Sequence, residues 1–86
     1  MNINELNAIV KNKLQSEIEI EDLSIEDKSF LHKNHKGNQP GKFHLKLIIK
    51  SKKLRHLSKI ESNKIIYKVL NDEIKKYIHS IQILIN

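Results

Sequence analysis

The chain predicts a small α+β domain, a three-stranded sheet with helices packed on one face. Three observations carry that prediction. Residues 43–50, FHLKLIIK, alternate apolar and polar side chains with the period of a strand. Ile66, Val69, Leu70, Ile74 and Tyr77 recur at helical spacing. Residues 78–85, IHSIQILI, form a second period-two run. With 86 residues there is room for one core, so residues 1–86 are read as a single domain.

The elements follow in order. Ile3, Leu6, Val10 and Leu14 make one apolar stripe on a first helix of about 13 residues. In EIEIEDLSIEDKSF the alternation of Ile18 and Ile20, then Leu23 and Ile25, reads as extended, and its later part is the first strand. Residues 30–42 are a loop: Gly37, Pro40 and Gly41 punctuate it, His32 and His35 lie within it, and nothing in it is periodic. In the second strand Phe43, Leu45, Leu47 and Ile49 are expected in the core. His44, Lys46 and Lys50 are expected on a wet, basic face, with Ile48 the exception. SKKLRHLS is a short connection or one helical turn. Ser58 and Glu61 have the spacing of a capping box, which opens a helix running to about residue 77. In the last strand, period two places His79, Ile81, Ile83 and Ile85 on one face. The expected order is α-β-β-(short α)-α-β.

Composition narrows the function classes. With two Phe, two Tyr and no Trp, the core must be aliphatic. No apolar run approaches the roughly 20 residues that span a bilayer, and MNINELNAIVKNKLQ lacks the pattern of a signal peptide. Zero cysteine excludes a disulfide framework and any site made of the chain's own thiolates. The expected compartment is the cytoplasm. Charge is lopsided: residues 1–27 hold two lysines against seven carboxylates, net −5, and residues 28–86 hold fourteen Lys and Arg against three, net +11. Such a segment suits nucleic acid or an acidic protein surface. Lys46, Lys50, Lys52, Lys53, Arg55, Lys64 and Lys68 are its candidate DNA-contacting residues. No aromatic is interleaved for base stacking, and the single arginine leaves little for guanine readout. DNA binding through them would be mostly non-specific. The carboxylates cluster in the N-terminal third and form no paired-acid or triad pattern, so no enzyme is expected.

The stretch DKSFLHKNHKGNQPGKFHL resembles the BolA/stress-induced morphogen family. There, an Asp-acidic-Ser strand end runs into a His-bearing loop that closes on Gly-Glu-Thr/Ser-His-Phe. This chain has Asp27 and Ser29, His32 and His35, then Gly41, Lys42, Phe43, His44 and Leu45. The second strand ends in a serine, here Ser51. The family's Ser-Pro-Leu-Glu/Gln-Arg-His-Arg helix start lines up with SKIESNK, residues 58–64, followed by Ile66, Tyr67, Leu70 and Glu73. Its Val-His-Ala-Leu strand start lines up with IHSI, residues 78–81. The resemblance covers about residues 3–85. Ser62-Asn63-Lys64 depart from Arg-His-Arg, Lys42 from Glu and Leu45 from Phe.

The resemblance implies a class II KH-like fold and a partnership with a monothiol glutaredoxin. It also implies a 2Fe–2S cluster bridging the pair, held together with glutathione and absent from the isolated chain. The implied ligands are His79 and a loop histidine, His35 or His32; imidazole can replace thiolate on one iron of such a cluster. Alone, the chain is expected as a monomer or weak homodimer. Some members are described as DNA-binding regulators, which makes DNA the alternative partner. His32-Xaa-Xaa-His35, with His44 on the next strand, falls short of the four ligands of structural zinc. GNQPG has the wrong spacing for a KH backbone clamp and joins two strands.

Overall fold

The computed structural model describes residues 2–29 and 42–86. Helix α1 (Ile3–Glu17) starts on Asn2, whose Oδ1 accepts from the Glu5 amide at 2.9 Å and whose Nδ2 donates to the Glu5 carboxylate. Its predicted stripe is its buried face: Leu6, Val10 and Leu14 are fully enclosed. Strand β1 (Asp22–Asp27) pairs antiparallel with β2 (Phe43–Lys50), setting Leu23 against Ile49 and Ile25 against Leu47. Strand β3 (Ile78–Ile85) pairs parallel with β2, giving the order β1-β2-β3. Leu45, Leu47 and Ile49 of the central strand meet α1 in one aliphatic core with Leu54, Ile66, Leu70 and Ile78. Lys46 and Ile48, on the other face, are half-buried, and Lys50 is exposed.

The parallel β2–β3 pair requires a long crossover, which the helices supply. Ser51 caps α2 (Lys52–Arg55): its hydroxyl accepts from the Leu54 amide at 3.1 Å and donates to the Glu19 carbonyl at 2.7 Å. Ser58 caps α3 (Lys59–Val69), accepting from the Glu61 amide at 3.1 Å and donating to its carboxylate at 3.0 Å. The single helix expected to about residue 77 is divided. Leu70, at φ −98° and ψ 16°, leaves the helical basin, and α4 (Asn71–Lys76) begins after it. Asn71 and Asp72 favour a helix start over an interior. The two helices share Leu70, whose amide donates to Ile66 and whose carbonyl accepts from the Ile74 amide. Glu73, buried on α4, takes both oxygens to Lys13 of α1 at 2.8 and 2.9 Å.

Two expectations about the sheet are corrected. The β2–β3 register slips between Phe43 and His44: Phe43 faces Ile78, but His44 faces Ser80. His79 is the extra residue of a bulge, so it does not share the face of Ile81, Ile83 and Ile85 as simple alternation requires. His79 is exposed. His44 does not sit on a wet face either: only 5% of its surface is accessible, because Ser80 and His79 pack against it at the slip.

Candidate functional site

The bulge brings two imidazoles together. The rings of His44 and His79 lie 4.8 Å apart between centroids and are tilted by 38°. His44 is fixed from several sides. Its Nδ1 is 2.6 Å from the Ser80 hydroxyl, its backbone amide donates to the Ser29 hydroxyl at 3.0 Å, and its carbonyl accepts from the Lys28 amide at 2.7 Å. Ser29 is set in turn by Asp27, whose carboxylate accepts the Ser29 amide at 2.9 Å, an Asx-type turn. The Ser80 hydroxyl can pair with Nδ1 in either tautomer, donating to a bare nitrogen or accepting from a protonated one. Residues 28 and 29, where the chain leaves β1, and residue 44, near the start of β2, thus meet at one point beside His79.

Of the predicted ligands, His79 stands exposed at this point, and His32 and His35 lie outside the described residues. Among the described residues no group of three or more His, Asp or Glu side chains gathers as a metal site. Sequence reasoning placed His44 with solvent and missed its contact with His79. The family-like closure from Gly41 to Leu45 contains His44, but only the register slip shows which histidine it meets.

The basic candidates are spread over several surfaces. Lys50, Lys52, Lys53, Arg55, Lys64 and Lys68 are exposed, and Lys46 is half-buried. Arg55 lines a cavity of about 280 Å³ between α2, α3 and the end of β3. Lys46 lines a neighbouring cavity of about 360 Å³ with Lys59 and Tyr67. Lys68 instead lines a groove between α1 and α3 with Lys13. One arginine and two lysines therefore flank β3, while Lys68 faces elsewhere.

Residues 14–86 match the family described as BolA-like protein. The chain is similar to the DNA-binding transcriptional regulator BolA of Haemophilus influenzae, 30% identical over 76 residues that cover 88% of this chain and 71% of that one. It is 29% identical to the SufE-like protein 1, chloroplastic/mitochondrial, of Arabidopsis thaliana over 87% of its own length, which is 22% of that protein's. The solved BolA domain of SufE1 from Arabidopsis thaliana superposes with a TM-score of 0.78 at 26% identity, covering 100% of this chain and 93% of the other.

Proposed function

We propose, from the premise that this chain belongs to the BolA-like protein family, that it is an adaptor in iron–sulfur cluster assembly or trafficking. It binds a monothiol glutaredoxin and lends His79 and one loop histidine, His32 or His35, to a 2Fe–2S cluster shared with that partner and glutathione. The observation that carries this reading is the placement of His79: an exposed imidazole on a strand bulge, backed by a second, firmly held imidazole. Imidazole ligation of one iron, with thiolate on the other, is established chemistry for such clusters. The Arabidopsis relative named SufE-like supports an iron–sulfur role. Proteins of this family are regulators or adaptors, and the proposal assigns no catalysis to the chain and places it in the cytoplasm.

The test is reconstitution with a monothiol glutaredoxin, iron, sulfide and glutathione, followed by visible circular dichroism. His79→Ala is expected to change the cluster bands. A spectrum identical to wild type overturns the ligand assignment. His32→Ala and His35→Ala, made separately, decide which loop histidine takes part.

A second reading, a DNA-binding regulator, is favoured by the name of the Haemophilus relative and by the exposed Lys52, Lys53, Arg55 and Lys64. It predicts duplex binding that weakens steeply with salt. No binding near roughly 100 mM salt, where surface charges are screened beyond about 10 Å, removes it.

A further inference from the structure

The two edges of the sheet are built differently. Strand β1 carries Asp22, Glu26 and Asp27 in six residues, a charged edge of the kind that discourages further pairing. Strand β3 is the other edge, and its eight residues hold no charge and no proline. The Asn86 amide donates to the Ile49 carbonyl, so the backbone groups of Asn86 face β2. Alternation then turns the N–H and C=O groups of Ile85, Ile83 and Ile81 outward, away from β2. Among the described residues no strand pairs with them.

Alongside this edge runs a groove against α3. The two cavities described above share Lys59, Asn63, Ile83 and Leu84, so they adjoin along β3. Leu54 and Leu57 give one end an apolar wall. Leu84 and Tyr67 are exposed large side chains on its flanks, and Ile60, 69% exposed, lies on the same α3 face three residues before Asn63. The Asn63 Oδ1 is buried without a hydrogen-bond partner. The charged residues lining the groove are Lys46, Arg55 and Lys59, with no carboxylate among them.

We propose that the free edge of β3 and this groove dock an extended, acidic segment of a partner protein, which adds to the sheet as a fourth strand. The outward N–H and C=O groups supply main-chain hydrogen bonds, as in strand addition generally. Alternate apolar side chains of the segment enter the groove, and its carboxylates meet Lys46, Arg55 and Lys59. Charge complementarity selects this occupant. A second copy laying its own β3 alongside would bring the same cations with it. Single-stranded nucleic acid would find one aromatic, Tyr67, and would leave the apolar wall unused. This inference is independent of the cluster reading and needs neither His79 nor a metal.

The probe is a terminally blocked peptide alternating glutamate and valine, matched in length to β3 and titrated into the isotope-labelled full chain by NMR. Amide signals of Ile81, Ile83 and Ile85 are expected to shift and to gain about tenfold in hydrogen-exchange protection, with β1 unmoved. Lys59→Glu, which places an acid at a helix start where it is tolerated, is expected to weaken binding about tenfold. Several outcomes overturn the proposal: no shift at the β3 edge, equal binding of the same peptide with lysine for glutamate, or unchanged affinity in Lys59→Glu. So do binding of a single-stranded oligonucleotide of equal charge in place of the peptide, and edge shifts that follow protein concentration alone.

Discussion

The imidazoles of His44 and His79 stand 4.8 Å apart where β2 and β3 lose register by one residue. The contact separates two roles. His44 is buried and bonded, so it belongs to the fold; His79 is exposed, so it is available to a partner. His79→Ala is expected to leave the unfolding free energy, read from urea titration, within about 0.5 kcal/mol of wild type while altering the reconstituted cluster. A large loss of stability would assign His79 to the core instead.

Ser80 holds the Nδ1 of the buried ring at 2.6 Å. Ser80→Ala is expected to cost about 0.5–1.5 kcal/mol, the usual net worth of such a bond. It should also redistribute the His44 tautomers, read from ring nitrogen shifts in NMR. An unchanged tautomer ratio would show that Ser80 does not set it.

Ser51 is fully buried and links three segments: it caps α2 and ties the end of β2 to Glu19. Ser51→Ala removes the cap and leaves the Glu19 carbonyl short of a donor. A loss of about 1–2 kcal/mol is expected from urea unfolding. Ser51→Thr keeps the hydroxyl and separates the lost bonds from any steric effect.

Leu47 lies in the middle of the central strand with none of its surface exposed. Leu47→Ala is expected to cost about 2–5 kcal/mol. A cost under about 1 kcal/mol would mean that the helices collapse onto the vacated space.

The hydrogen bond to Glu73 holds the Lys13 ammonium above its ordinary value of 10.5, against a smaller desolvation effect and with help from the charges of Glu73 and Asp72. The folded chain therefore binds this proton more tightly than the unfolded one. Its contribution is complete below 10.5 and is lost as pH rises through the higher folded value. Wild type should exceed Glu73→Gln in urea midpoint at neutral pH, and the gap should close on the alkaline side of 10.5. A gap that stays constant across that range would refute the coupling.

Much of the fold was legible because periodicity is local. The stripe of Leu6, Val10 and Leu14 specifies α1, and FHLKLIIK specifies β2, without reference to anything distant. The helix break at Leu70 was less legible, since the apolar spacing continues through it and only Asn71-Asp72 mark a new start. The bulge left no trace: counting by twos from Ile85 assigns His79 to the core face, and nothing nearby signals the extra residue. That one slip also explains His44, whose burial depends on residues far along the chain. The loop histidines could be named from the sequence, but their geometry lies outside the described residues.

The crossover between β2 and β3 has a consequence for how the chain matures. His44 and Ser80 are 36 residues apart in sequence, so their contact closes a long loop, and such contacts form late in folding. The β1–β2 pairing is made by those two strands alone, whereas the histidine pair needs β3. Until β3 docks, His44 has neither Ser80 nor His79 beside it. The paired imidazoles are thus a mark of a completed sheet, and a partner that needs both of them passes over chains whose β3 has not docked.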